Sequence, residues 1–449
     1  MFAVDRSLPT SLPAQIVSGM RGLVAAGELT GGDRVPSTRE LARQLGVSRG
    51  SVVTAYDQLL SEGVLLSAQG APTVVHPDLP RVSPPPPPVA AAPHPAAHRA
   101  LSLRPSSGHP GTIPPAAWRS AWREAAAMPA QPADKSGQAA LRRAIAGHLR
   151  LARGLAVSAD NVLVTGGSRE GLLLILMSLG RDLRIGVEDP GHPGLRSVIP
   201  LAGHTPVTCE TDELGIDVAS LPGDLDAVLV TPSHLYPLGA SMPASRRLAL
   251  LEWAATNGVT VIEDDFNSEL RHRVSPLPTL GMLASEASVI TLGTFSTLLS
   301  TQLNAGYVVA DAVIAQALRA TRQTLGMPVS PVTQHAIAHL LEGGFVRRNT
   351  RVVHKKLTDR MDRLRDAVVP ALEASGALIT LGQDCLGADI VAAFPTSDAQ
   401  EQFVGLLARR EIEVGRAGPD LLLSFGHLSD DDFGRAVRIL TGLTPTRPR

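Results

Sequence analysis

Between Ser83 and His98 the chain reads SPPPPPVAAAPHPAAH, a run in which proline repeatedly fixes φ and removes the backbone donor that a helix or a central strand needs. The run has no amphipathic period and is expected to be extended or disordered, acting as a spacer. Whatever folds must therefore fold on either side of it, and 449 residues are in any case too many for one ordinary domain. The expected division is a domain over residues 1–76, a proline- and alanine-rich linker over 77–102, and a larger unit over 103–449 whose smaller lobe begins near 331.

Composition narrows the class. A hydrophobic content of 44% with 18% charged residues describes globular material. The longest apolar run, around Leu172–Met177, is far short of the ~20 residues that span a bilayer. The start, Met1 to Asp5, lacks a basic region followed by an apolar core. A cytoplasmic protein without membrane partners is expected. Its two cysteines, Cys209 and Cys385, lie far apart without metal-ligand spacing, so neither a disulfide framework nor a metal site is expected. The net charge of −1 gives no support to a nucleic-acid partner, but a sum over the chain can hide a positive face on one domain.

The first 76 residues carry such a face. Ser37-Thr-Arg-Glu40 is a capping-box pattern that starts a short helix over Thr38–Leu45, with Ser37 placed to accept from the amide three residues on and Glu40 to reach back. Gly46 permits a tight turn and Ser48 can cap a second helix. On that helix Val52, Tyr56, Leu59 and Leu60 form an apolar stripe, leaving Arg49, Gly50, Ser51 and Thr54 outward. Small, hydroxylated and arginine side chains at the start of an exposed second helix suit a major-groove reader. Gly63 ends the helix, and Val64–Leu66 with Thr73–Val75, joined through Gln69–Pro72, predict a two-stranded wing.

After the spacer, short β-branched runs at 161–165, 184–188, 226–231, 259–263, 288–292 and 306–310 alternate with helical segments such as Ala244–Trp253. That alternation predicts a largely parallel sheet covered on both faces. Beyond Pro331, helices over Gln334–Leu341 and Val352–Leu372 precede strand-like pieces at 377–381, 389–394 and 421–425, which predicts a smaller α+β lobe.

Residues 12–75 resemble the winged helix-turn-helix of GntR-type bacterial regulators, through Gly32-Asp-Arg-Val-Pro-Ser37, Arg39-Glu-Leu-Ala42, Leu45-Gly-Val-Ser-Arg49, Ala55-Tyr56, Glu62-Gly63 and Gly70-Ala-Pro-Thr73. From about Leu103 the chain resembles a fold-type I aminotransferase, specifically the aminotransferase-like half of the MocR branch of GntR regulators. The landmarks are Val164–Ser168, Glu188-Asp-Pro-Gly191, Thr231-Pro-Ser-His234 with Tyr236-Pro237 and Gly239, Glu263-Asp-Asp265, Gly293–Ser296 and Gly306-Tyr307. The fold so implied is α/β: an N-terminal winged helix-turn-helix, then an aminotransferase-like domain with a large mixed, mostly parallel sheet under helices and a smaller α+β lobe.

The same resemblance implies what is missing. Asp264 matches the carboxylate that pairs with the pyridine nitrogen of pyridoxal phosphate, and Thr294, Ser296 and the amides around Gly167-Ser168-Arg169 could cradle an anion at a helix start. Thr297, however, stands where relatives place the Schiff-base lysine, and a Schiff base needs a primary amine. The chain has only three lysines, Lys135, Lys355 and Lys356. Asn304 stands in place of the arginine that clamps the cofactor phosphate. Phe266 replaces a tyrosine hydroxyl, His192 a stacking tyrosine, and Leu422 the arginine that binds a substrate carboxylate through a directional bidentate contact.

These residues predict a transcriptional regulator binding a double-stranded DNA operator, with a degenerate aminotransferase-like domain for dimerisation and effector sensing. Catalytic residues are not expected, and pyridoxal phosphate is not expected as a cofactor. The DNA contacts expected are Arg34, Ser37, Thr38, Arg39, Ser48, Arg49, Ser51, Thr54, Gly70 and Thr73. A small-molecule effector would meet Ser168, Arg169, His192, His234, Tyr236, Asp264, Thr294, Ser296, Thr297 and Asn304, and Arg196 is a further anion-binding candidate. For Asp264 and His234 the alternative is a purely local role, as a strand-end carboxylate and a satisfied buried histidine. The resemblance implies a head-to-tail homodimer. Two other readings stay open: a protein using pyridoxal phosphate non-covalently, as regulator or aminotransferase, and a DNA binder whose second domain is purely structural.

Overall fold

A computed structural model describes residues 2–68, 71–79, 100–105, 113–129, 134–236, 241–270, 277–381, 388–417 and 419–443. Gly70, Cys385, Pro237, Gly239 and most of the expected linker lie outside the described residues. The chain divides into two compact units, Met1–Ala97 and His98–Arg449.

The first unit contains α1 (Leu12–Ala25), α2 (Thr38–Leu45), α3 (Arg49–Ser61), β1 (Leu65–Leu66) and β2 (Val74–Val75). Local signals set the bounds of α2. Ser37 Oγ accepts from the Glu40 N–H at 3.3 Å, and Gly46 ends the helix at φ 63°, ψ 31°, a left-handed conformation that costs glycine little. Only half of the predicted capping box forms: Ser37 caps the helix, but Glu40, exposed at the surface, does not reach back to the Ser37 amide. Ile16, Val17, Met20, Leu41, Val52, Ala55, Tyr56 and Leu59 are all buried in one core. The wing is broader than the sequence pattern suggests. Arg34 bridges Val74, Gly32 N–H donates to Val75 O and Val35 N–H to Thr73 O, so the stretch before α2 adds a third edge to the hairpin.

In the second unit the strands are β3 (Leu101–Leu103), β4 (Val162–Thr165), β5 (Arg184–Asp189), β6 (Thr205–Asp212), β7 (Gly215–Ile216), β8 (Ala227–Val230), β9 (Thr260–Asp264), β10 (Val289–Thr294), β11 (Gly306–Val309), β12 (Leu378–Leu381), β13 (Asp389–Ala393), β14 (Ile412–Ala417) and β15 (Asp420–Ser424). Eight of them form a sheet in the order β4-β11-β10-β9-β8-β5-β6-β7. Its central pairs, β6–β5, β5–β8, β8–β9 and β9–β10, are parallel, whereas β10–β11, β11–β4 and β6–β7 are antiparallel. Separate apolar clusters cover the two faces, one through Leu163, Leu172, Ile175, Ile185 and Leu229, the other through Val228, Val230, Leu250, Val259 and Val261. Burial on both faces explains why these strands read as continuous β-branched runs.

The second sheet has the order β12-β13-β15-β14-β3. β3 pairs in parallel with β14, Leu101 opposite Ile412 and Leu103 opposite Val414. A strand from the start of the unit thus completes the sheet of the C-terminal lobe. Three residues are too few for a periodic signal, and β6, β7 and β14 were likewise not read from sequence. The long helix expected over Val352–Leu372 starts earlier, at Phe345, and runs to Arg363. It then passes through a π stretch at Leu364–Val368 into Val369–Ala374. Pro370 has no N–H for the regular i−4 bond, which accounts for the wider turn.

Gly306 opens β11 hard against its neighbour β10: a Cβ there would lie 2.5 Å from the Gly293 carbonyl oxygen. Gly306→Ala should destabilise the second unit by roughly 1–3 kcal/mol, the usual cost of forced overpacking. Trp118, Trp122 and Trp253 all belong to that unit. Tryptophan fluorescence during urea unfolding therefore reads it directly, and an unchanged midpoint would contradict the close approach.

Candidate DNA interface and candidate ligand cleft

Recognition of DNA requires an exposed, cationic, uncommitted surface, and α3 begins with an exposed arginine. Its buried side is Val52, Ala55, Tyr56 and Leu59, while Arg49, Gly50 and Thr54 are exposed. Arg34 and Arg39 are exposed as well, and among the described residues none of the three guanidinium groups has an ion-pair partner. Not all the polar candidates are equally available. Ser48 Oγ accepts from the Ser51 N–H at 3.1 Å and lies 2.9 Å from Ser51 Oγ, so both hydroxyls serve the cap. Thr54 Oγ1 donates to Gly50 O at 3.1 Å. Thr38 is half-buried at the start of α2, and Thr73 gives its carbonyl to Val35. The arginines are thus the freest polar groups of the predicted set. Beneath them, Tyr56 Oη donates to Pro36 O at 2.7 Å and ties α3 to the segment entering α2. Burial, aided by Glu40, pushes its phenol up to about 12, so it stays a donor.

In the second unit the chain runs from β5 to its neighbour β6 on one side and returns to β8 on the other. The reversal leaves a crevice at the carboxyl ends of β5 and β8, the usual ligand position in an open α/β sheet. A small cleft there is lined by Glu188, Gly191, His192, Leu195, Arg196 and Thr231, with Val187 and Leu229. His192 caps the short turn Pro193–Arg196, its Nδ1 accepting from the Gly194 and Leu195 amides at 3.1 and 3.2 Å. Its ring packs 4.9 Å from Tyr236 and 6.2 Å from Phe266, and Phe266 in turn meets His234 edge-on at 5.6 Å. Sequence spacing did not foresee this four-ring cluster, because its members come from three separate strand ends.

Electrostatics sets this region apart. Asp264 ends β9 with 2% exposure, and its Oδ1 finds no hydrogen-bond partner among the described residues. Burial, then Asp265, Glu188 and Glu263, push its carboxyl up to about 8. Burial alone takes His234 down to about 4, and its Nδ1 also lacks a partner among the described residues. Glu188, passed over as a site residue, accepts from the Thr231 N–H and hydroxyl at 3.1 and 2.5 Å. Its other oxygen is buried without a partner among the described residues, and burial raises it to about 7. Buried polar atoms of this kind are costly unless something pairs with them.

The anion cradle is less complete. Ser168 begins the helix Ser168–Leu179, and Arg169 is exposed with its guanidinium over Gly194. Burial and then Arg169 lower the His192 imidazole, so that ring stays neutral. Arg196 donates to Thr208 Oγ1 at 2.7 Å and lies 3.9 Å from Asp189, so it is partly committed. Thr294 Oγ1 accepts from the Ser296 amide at 3.1 Å, and Asn304 is exposed in a left-handed turn with φ 42°.

None of the three lysines is among the residues that line this cleft. Thr297 is buried at 5% exposure, and each lysine is placed elsewhere: Lys135 donates to Gln323 O at 2.7 Å, Lys356 pairs with Asp430 at 2.7 Å, and Lys355 is exposed beside it. Leu422, at 1% exposure, sits in the core of the smaller sheet between Val391 and Gly415. Among the described residues no His, Cys, Asp and Glu group could hold a metal, and no helix is long and apolar enough to cross a membrane.

Residues 12–75 match the family described as bacterial regulatory proteins, gntR family. Over 438 residues, 96% of this chain and 95% of its relative, the sequence is 41% identical to the HTH-type pyridoxine biosynthesis transcriptional regulator PdxR of Corynebacterium glutamicum. The chain belongs to the GntR family and is a regulator of the MocR type. It is also 29% identical, over 80% of its length and 78% of the relative's, to the probable rhizopine catabolism regulatory protein MocR of Rhizobium meliloti. The second unit has the aminotransferase fold: the kynurenine aminotransferase of Pyrococcus horikoshii superposes with a TM-score of 0.67 at 22% identity, covering 76% of this chain and 90% of that one. This MocR-type protein is therefore a DNA-binding transcriptional regulator with an aminotransferase-like domain.

Proposed function

We propose that this regulator reads its operator through Arg34, Arg39 and Arg49 and senses a small molecule in the β5–β8 crevice without covalent cofactor chemistry and without pyridoxal phosphate. The observation that carries this reading is the position of the three lysines, all committed or exposed outside the ring cluster, with a buried threonine at 297. Loss of the amine removes the covalent link, and Asn304 and Phe266 remove the phosphate and ring-oxygen partners that the family resemblance implies. No amino-group transfer is expected. What remains is a concave site lined by Glu188, whose Oε1 is buried without a partner among the described residues, and such a site suits a bound effector. Such a ligand acts by binding two arrangements of a homodimer with different affinity, and so biases how the two winged helices meet two half-sites. A head-to-tail dimer fits this scheme. The Corynebacterium relative's name directs the search for operators to pyridoxine biosynthesis genes.

Borohydride reduction after incubation with pyridoxal phosphate, followed by peptide mass spectrometry, tests the cofactor half. The expected result is no saturable, stoichiometric lysine adduct in the parent. In Thr297→Lys, at most a weak adduct at the new lysine is expected, with no transfer from amino donors in either form. A stoichiometric adduct on the parent protein would overturn the reading. Mobility shift of promoter fragments tests the other half.

A further inference from the structure

Residues 2–10 lie ahead of the segment that matches the GntR family, yet they fold onto the same core. Phe2 and Val4 pack against the core cluster of the first unit, and the Phe2 ring covers Gly19 of α1 so closely that a side chain there would displace the ring. The backbone of Asp5 is clamped from both sides by one amide. Its N–H donates to Gln15 Oε1 at 2.8 Å, its carbonyl accepts from Gln15 Nε2 at 2.8 Å, and the same nitrogen reaches Thr10 O at 2.8 Å. The Asp5 carboxylate accepts from the Ser7 hydroxyl at 2.6 Å and the Ser7 amide at 2.8 Å, and these bonds hold it below the usual carboxylate range. The main chain is therefore fixed immediately before and after Arg6. From that anchored position Arg6 Nη2 donates to the carbonyl of Gly46 at 2.6 Å.

Gly46 is the left-handed residue that closes α2 and aims the chain into α3. We infer that Arg6 is a positioning residue for DNA recognition: the N-terminal arm, anchored to α1 through Gln15, pins the turn between the two helices and so sets the angle at which α3 enters the major groove. A helix end leaves carbonyls without intrahelical partners. A charge-assisted donor from a fixed arm satisfies one of them at the residue whose geometry decides the direction of the next helix. Arg6 faces solvent but is directed at the protein backbone, which separates its role from that of the three unpaired arginines. The inference rests on the DNA-binding reading above.

Arg6→Ala and Gln15→Ala in the full chain test it. Each should weaken operator binding by about five- to tenfold, the equivalent of one hydrogen bond with a charged partner at a partly solvated site. The slope of log affinity against log salt should stay unchanged, because no phosphate contact is lost. In the free protein, amide hydrogen exchange of Gly46–Ser51 should accelerate in both variants while α1 remains protected. A reduced salt slope in Arg6→Ala alone would make Arg6 a phosphate contact and overturn the positioning role, as would unaltered exchange at the turn. Accelerated exchange without measurable operator binding by the parent would instead count against the DNA-binding reading and leave the strut intact.

Discussion

Arg153→Met should destabilise the aminotransferase-like unit by about 3–5 kcal/mol, the usual cost of stranding a buried charge. Arg153 closes the helix Ala139–Arg153, and its guanidinium meets Asp265 through two bonds, Nη2 to Oδ1 at 2.9 Å and Nε to Oδ2 at 3.1 Å. The two side chains are 1% and 3% exposed. Asp265 follows the carboxylate Asp264 directly, so the pair also holds the end of β9 that leads to Phe266 and the ring cluster. Removing the arginine leaves the buried Asp265 carboxylate without its two-bond partner. The double substitution Arg153→Met, Asp265→Leu should recover much of the loss, since it removes both buried charges at once. Urea unfolding followed by tryptophan fluorescence measures this, and a loss below about 1 kcal/mol in the single variant would show that solvent reaches the pair.

Arg49→Ala should weaken operator binding by about 1–3 kcal/mol, or roughly five- to 150-fold, if its guanidinium reaches a base edge or phosphate as its exposed place at the start of α3 suggests. Neither Arg49 nor Arg39 has an ion pair among the described residues, so neither substitution strands a buried partner, and folding should be unaffected. The two outcomes of interest differ in kind. A phosphate contact lowers the salt slope by about one per bound copy and weakens all sequences alike. A base contact relaxes specificity at one operator position while the slope holds. Mobility shifts at several salt concentrations, with operator and scrambled duplexes, separate them. Full affinity in a folded Arg49→Ala protein would remove α3 from the groove.

The local parts of this structure were legible residue by residue. Ser37, Gly46 and Ser48 act through contacts within three or four positions, so α2 and the start of α3 could be bounded from the sequence to within a residue. The six strand runs of the large sheet were equally plain, because burial on both faces demands continuous β-branched stretches. The reading of Thr297 at the Schiff-base lysine position rests on the family resemblance alone.

Other features depend on distant segments meeting. β3 was not readable, because three residues gain strand character only by pairing with β14 across some three hundred residues of chain. The role of Arg6 needed the Gln15 clamp and the position of Gly46. Glu188 was a landmark in the sequence but not a site residue, since its significance lies in a buried oxygen left unpaired among the described residues after Thr231 has satisfied the other. The sequence by itself determined the two-module plan, the winged helix-turn-helix and six of the eight strands of the large sheet, all of which follow from local propensity, capping and the period of apolar residues. Only the tertiary structure decided which edge β3 joins, which carboxylates are desolvated and how four rings meet at the cleft, because desolvation and contact are properties of the packed interior rather than of neighbouring positions along the chain.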